Sequence, residues 1–197
     1  MTTRKSIRKI AFFFLPVLTF FLFSSTLNAQ KFSATQAGNS ILVEGTSNVH
    51  DWDVKAEKFS LQAEITKGEN QPEIKSLFLD LEAESLKSGK SGMDRNTYKA
   101  LKTDEHKKIT FRYSKTISTK ALSGNKYEVR AQGALQIAGV TKNATITSQM
   151  EQKGNTWVLN GSFPMKMTDH NITPPTALLG SVKAGDEVTV KFQITLK

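Results

Sequence analysis

The sequence predicts an all-β fold of about eight antiparallel strands with one short helix, closed as a barrel or stacked as a sandwich. Three observations carry that prediction. Apolar residues recur with a period of two in one segment after another, the pattern of strands with one dry and one wet face. Short turn-forming clusters (KGENQPE, LSGNK, IAG, QKGN and KAGD) separate those segments. One stretch alone, Ser91 to Lys102, has its apolar residues at helical spacing.

The first 29 residues stand apart from this pattern. Arg4, Lys5, Arg8 and Lys9 precede an uncharged run from Ile10 to Phe23, and a small-residue exit ends at Ala29. Basic start, short apolar run and small exit form the layout of a secretory signal peptide. The run is shorter than the roughly 20 residues that a membrane span needs. Residues 30–197 then form a single domain, in a bacterial periplasm or outside the cell. Losing the four basic residues lowers the formal charge from +9 to +5. That balance suits solubility and a transient contact with an anionic membrane surface. No run of five to eight basic residues marks a nucleic-acid partner. The chain has no cysteine, which excludes disulfides, thiolate metal sites, thiol catalysis and a lipid-modified N-terminal cysteine.

The strands follow in order. SILVEGTS places Ile41, Val43 and Gly45 on one side. DWDVKAEKFSLQAEI places Trp52, Val54 and Ala56 together, then Phe59, Leu61, Ala63 and Ile65. EIKSLFLDLEAESL offers Leu77, Leu79 and Leu81, and KITFRYSKTI offers Ile109, Phe111 and Tyr113. KYEVRAQGALQI aligns Tyr127, Val129, Ala131, Gly133, Leu135 and Ile137. Three more segments align Val140 with Ala144, Ile146 and Met150, Trp157 with Leu159, Gly161 and Phe163, and Val188 with Val190, Phe192 and Ile194. Thr168 to Ser181, with Pro174 and Pro175, reads as a long loop crossing one end of the sheet.

Within the helix, Met93, Thr97, Ala100 and Leu101 share a face, and Ser91 with Asp94 fits a capping box. A helix this short needs something apolar beneath it. In a barrel that place is an open end. The inward parity mixes small residues (Gly45, Ala63, Ala131, Gly133, Ala144, Gly161) with large ones (Trp52, Phe59, Phe111, Tyr127, Trp157, Phe163, Phe192). Both a filled interior and a ligand cavity fit that mixture.

Catalytic and metal patterns are not found. His50, His106 and His170 have no ligand-pair spacing, and no G-x-S-x-G occurs. His106 and His170 read as turn residues beside aspartates. His50, at the entry of the Trp52 strand, is placed to reach a barrel mouth.

Three stretches together resemble a known family: EGTSNVHDWDVKAEKFS (44–60), SGMDRNTYKALKTDEHKKITF (91–111) and GALQIAGVTKNATI (133–146). In this order they resemble the YceI-like lipid/polyisoprenoid-binding family, in a form similar to that of Bacteroidetes. Lys107 and Lys108 stand where many members carry a proline. The resemblance implies a lipocalin-like closed antiparallel barrel around an apolar pocket. It implies a non-enzymatic, exported binding protein with no cofactor or metal, holding an amphiphilic lipid with a quinone or phosphate-type head. On this view the lumen and mouth are formed by His50, Trp52, Phe59, Met93, Arg95, Leu101, Phe111, Tyr127, Ala131, Gly133, Trp157 and Phe163. Lys99 and Asn96 join Arg95 and His50 as candidates for the head group. The alternative is a structural or stress-response interaction protein with a filled barrel and no lipid.

Overall fold

A computed structural model describes residues 29–68 and 71–197. The expected signal peptide lies in 1–29, almost wholly outside those residues. Twelve strands run in chain order: β1 (Gln30–Thr35), β2 (Ser40–Ser47), β3 (Trp52–Ala56), β4 (Phe59–Lys67), β5 (Pro72–Glu82), β6 (Leu86–Lys87), β7 (Lys108–Ala121), β8 (Lys126–Ile137), β9 (Val140–Lys153), β10 (Thr156–Lys166), β11 (Thr176–Ala177) and β12 (Val182–Leu196). Helix α1 (Ser91–Leu101) sits between β6 and β7. Three 3-10 turns join them, at Ala83–Ser85, Met167–His170 and Leu178–Gly180.

All ladders are antiparallel, and they form one path, β1-β4-β5-β7-β8-β9-β10-β12-β2-β3-β6, with β11 attached to β12. The expected closed barrel of eight strands is therefore corrected to a curled half-barrel of eleven strands. Its two terminal strands do not pair with each other. β6 has two residues, too few to continue the ladder, and the free side of β1 meets the end of β12, an interior strand of the path, through the exchanged bonds of Ser33 with Lys197. Two chain crossings hold the curl instead. Glu57 N–H donates to Ser85 O, and Glu82 N–H donates to Lys58 O. The β3–β4 and β5–β6 links thus lie side by side and join the two ends of the path.

The curvature has a local cause. Register shifts interrupt the β4–β5, β7–β8 and β12–β2 ladders, and such bulges bend a sheet and sharpen its twist. One lies between Ala184 and Val188. The KAGD cluster, expected as a turn, is that bulge inside β12. The β9–β10 ladder ends at Gly161↔Ser148, although both strands run further towards the end where the Met167–His170 turn sits. Pro164, which has no N–H, lies in that stretch of β10, paired with β12 but free on its β9 side, where a proline is tolerated.

Alternation governs burial as the sequence suggested. In β4, Phe59, Leu61, Ala63 and Ile65 are buried while Gln62 is exposed. One core cluster packs Phe32, Phe59, Leu61, Val129, Met150, Trp157 and Leu196. A second gathers Phe111, Leu135, Ile137, Met167, Ile172 and Val188. Met150 and Leu196 are 0% exposed. Every buried residue of both clusters lies between Phe32 and Leu196, so Gln30–Lys197 contains the complete described sheet and core. On the outer face, pairs such as Lys58–Glu82 (2.6 Å) and Lys108–Asp80 (2.7 Å) join exposed lysines to half-exposed carboxylates and contribute little to stability.

Candidate functional site

The two ends of the curl differ. Where β8 begins and β12 ends, Tyr127 and Trp157 meet with ring centroids 6.4 Å apart, over Met150 and Leu196. This end is packed. Above it lies a cavity of about 240 Å3. Ile74, Met150, Leu159 and Ile194 line its deeper part, and Val190, Phe192, Phe163 and Met165 continue along its wall. Thr97, Ala100 and Leu101 of α1 cover it, and Met167, Ile172 and Pro175 contribute from the segment after β10. No charged side chain takes part in the lining, and its only hydroxyls are those of Thr97 and Ser148. Such a surface recognises shape and hydrophobicity, with no strong acid, base or nucleophile facing the space.

Three inward glycines set the thickness of this wall. The Trp52 ring lies over Gly45, Phe111 over Gly133 and Phe192 over Gly161. A Cβ on Gly133 would sit 2.5 Å from the Phe111 ring and 2.5 Å from the Arg112 carbonyl oxygen. Absence of a side chain lets each ring lie flat on its neighbouring strand. Trp52 is fixed further by its indole N–H donating to Thr46 O at 2.8 Å.

The sequence-predicted residues divide accordingly. Trp52, Leu101, Phe111, Ala131 and Phe163 line the cavity. Met93 packs on the core from α1 without lining the space. Phe59, Tyr127 and Trp157 belong to the packed cluster, and Gly133 is covered by Phe111. His50 is exposed on the β2–β3 loop, its Nδ1 2.7 Å from Asp51 O, and Arg95 is exposed on α1. Neither reaches the cavity wall. Met165, on the same parity as Phe163, also lines the cavity, and Met167, Ile172 and Pro175 were missed. Their signal was two apolar residues, Met167 and Ile172, flanking the polar stretch of a segment read as loop.

The other two histidines sit at turns, as expected, but their rings are packed. His106 packs its ring on Gly139, where a Cβ would lie 2.5 Å from the imidazole. Gly139 also has φ +78°, and Ala138 before it has φ 48°. The tight β8–β9 turn requires that backbone, so the glycine serves both turn and ring. His170 is 3% exposed, with Nδ1 3.0 Å from Val140 O. It joins the Met167–His170 turn to the start of β9. Among the described residues no group of three or more histidines and carboxylates is placed to hold a metal.

Helix α1 has no fully buried residue, so polar contacts carry much of its attachment. Lys90, rather than Ser91, occupies the N-cap position, without a side-chain cap. Asp94 instead accepts from Ser88 N–H at 2.8 Å and from Ser88 Oγ at 2.6 Å. Tyr98 donates to backbone carbonyls of Glu84 and Leu86 and accepts from Lys87 Nζ. Hydrogen bonds from Ser88 hold the Asp94 carboxyl below the usual range, with Lys87 adding to the effect. Asp186, which accepts from Thr168 N–H and Oγ1, is lowered mainly by those bonds.

A folded-state value below the ordinary carboxylate value of about 3.9 means that the Asp94 contribution is complete above that pH. It is lost as pH falls through the lowered value. Asp94→Ala is expected to reduce hydrogen-exchange protection of α1 amides about three- to fivefold at pH 7. The difference from wild type should shrink below about pH 4, as wild type loses the same bond. Equal protection at pH 7 would remove Asp94 from this role.

Comparisons with known proteins agree with the architecture. The family model described as YceI-like domain matches residues 24–196. The crystal structure of Burkholderia cenocepacia BcnA is similar, with TM-score 0.63 and 22% identity, over 82% of this chain and 98% of that one. A structure described as a polyisoprenoid binding domain from Saccharophagus degradans, implicated in plant cell wall breakdown, gives TM-score 0.65 and 11% identity over 86% and 99%. The Campylobacter jejuni YCEI protein gives TM-score 0.54 and 17% identity over 71% and 81%. No curated protein matches the chain.

Proposed function

Since the chain belongs to the YceI-like domain family, we propose that it is a non-catalytic carrier for an amphiphilic lipid with a prenyl chain. The single observation that carries this is the uncharged cavity beneath α1. The Saccharophagus degradans neighbour, described as polyisoprenoid binding, supports the ligand class. The early basic and apolar run supports a working place in the periplasm or outside the cell.

Size limits the guest. A cavity of roughly 150 Å3 takes one benzene, so the 240 Å3 here corresponds to roughly ten carbons, about two isoprene units. Burying ten carbons contributes about 8 kcal/mol. Association costs at least about 4 kcal/mol, which leaves a guest of about millimolar affinity. A tighter guest needs a longer chain or a head group held at the rim. A longer chain extends past the boundary of the space, part of which is α1, held by Asp94 and Tyr98 rather than by deep burial. The filled-barrel alternative needs Trp52, Trp157 and Phe163 to fill the space over Ala63, Ala131, Gly133 and Gly161, whereas Phe111 covers Gly133, Phe192 covers Gly161 and Ala131 lines the cavity. Trp157 packs in its own half, while Trp52 and Phe163 stand on the cavity wall.

Native mass spectrometry of the protein purified from its host tests the proposal, together with titration by prenyl alcohols of ten, fifteen and twenty carbons. The expected result is a co-purifying hydrophobic mass and affinity rising with chain length. A bare protein mass together with no binding of any of the three alcohols would overturn it.

A further inference from the structure

Four large apolar side chains are exposed among the described residues: Val49, Ile117, Leu178 and Leu179. Three of the four lie on one tip. β11 pairs with the start of β12 through Thr176↔Lys183 and Ala177↔Val182, and the Leu178–Gly180 turn closes that small hairpin. Leu179 is 109% exposed and Leu178 75%. Both hold left-handed backbone, with φ 56° and 49°, which a leucine rarely adopts.

The tip is fastened. Asn48 on the β2–β3 loop accepts from Lys183 N–H at 2.8 Å, and its Nδ2 donates to Ser181 O at 2.9 Å. Its own N–H donates to Lys183 O at 3.1 Å. Val49, 62% exposed, follows directly. Three bare apolar side chains thus stand on two cross-linked loops, and apolar side chains gathered at one exposed tip are candidates for an interaction surface.

The base of the hairpin adjoins the cavity. Ile172 and Pro175, just before β11, line the cavity, and Pro175 O accepts from Ala184 N–H at the hairpin base. A prenyl chain comes from a bilayer and returns to one. Charges on the two loops are mixed, with Asp51 opposite Lys183 in sign, so charge alone does not select an acidic or basic protein.

We propose that Leu178, Leu179 and Val49 form a wedge that enters the headgroup layer of a lipid bilayer. There it sets Pro175, half-buried above the buried Ile172, against the membrane, so that a chain passes to the cavity without crossing water. This rests on the lipid-carrier reading above. Shallow insertion of a few apolar side chains gives reversible binding that scales with the apolar area buried.

The test compares wild type with Leu178→Ser/Leu179→Ser, both as Gln30–Lys197, the span that holds the whole described sheet and core. Sedimentation with vesicles of phosphatidylethanolamine and phosphatidylglycerol (3:1) reads membrane binding. Uptake of farnesol from cyclodextrin reads the cavity separately. Expected are vesicle binding by wild type, at least tenfold weaker binding by the variant, and equal farnesol uptake by both. Wild type that ignores vesicles, or a variant that binds them equally, overturns the wedge while leaving the cavity proposal standing. Loss of concentration-dependent self-association in the variant, with vesicle binding unchanged, overturns it in favour of an interface between two copies. Wild type that docks through the leucines but takes no farnesol overturns the cavity proposal and upholds the wedge. Leu179→Trp provides a second readout if the double variant does not fold. Its added emission should shift to the blue with vesicles, and an unshifted spectrum overturns the proposal.

Discussion

Ala131→Phe is expected to weaken binding of a ten-carbon prenyl alcohol at least tenfold while the protein stays folded. Ala131 lies in β8 opposite Thr116 and Ile146, and it lines the cavity. A phenyl ring there occupies a volume close to that of benzene, which fills a cavity of roughly 150 Å3. More than half of the 240 Å3 space disappears. Because the ring enters empty space rather than a close-packed core, overpacking strain of the usual 1–3 kcal/mol is largely avoided. Thermal melting within a few degrees of wild type, with binding lost in a fluorescence displacement assay, is the expected pair of results. Full binding by a folded variant would mean that the guest sits elsewhere.

Trp157→Ala acts at the opposite end and in the opposite sense. Trp157 is 3% exposed and packs with Tyr127 against the cluster that holds Met150 and Leu196. Replacing a buried tryptophan by alanine costs about 3–5 kcal/mol, through lost transfer energy and the void left behind. For a domain of this size the melting temperature should fall by about 10 °C. The void opens beneath Leu159 and Met150, which already line the deeper cavity. The surviving folded protein should therefore favour fifteen- and twenty-carbon alcohols over the ten-carbon one more strongly than wild type does. Calorimetry and a chain-length series check both parts. An unchanged length preference would show that the packed end has collapsed over the void.

The strands were legible because each has one dry face, and parity marks that face directly. Trp52, Phe111, Ala131 and Phe163 were found this way. Parity does not give height along the curl. Phe59, Tyr127 and Trp157 are on the correct face but at the packed end. Nor does parity separate Ala131 from Gly133, since only the neighbouring strand reveals that Phe111 lies across the glycine. β1 was missed because only Phe32 and Ala34 signal it, and β6 and β11, with two residues each, carry no period. Closure was misread for a different reason. The bulges that curl the sheet are relations between strands distant in sequence, and one of them resembled a turn when read alone. His106 appeared superficial because its partner, Gly139, is 33 residues away in sequence and contributes no side chain.

The early end of the β9–β10 ladder has a consequence for how a bulky cargo is let go. Beyond Gly161 and Ser148 the two strands diverge like the sides of a fork, and the Met167–His170 turn, tied to Val140 by His170, lies across the gap. Phe163 and Met165 on one prong and Ile146 on the other face the cargo space. Separating the prongs breaks no sheet ladder beyond that already given up, so thermal breathing should be greatest there. A hinge that swings this short clasp aside would open the wall sideways and spare the continuous ladders.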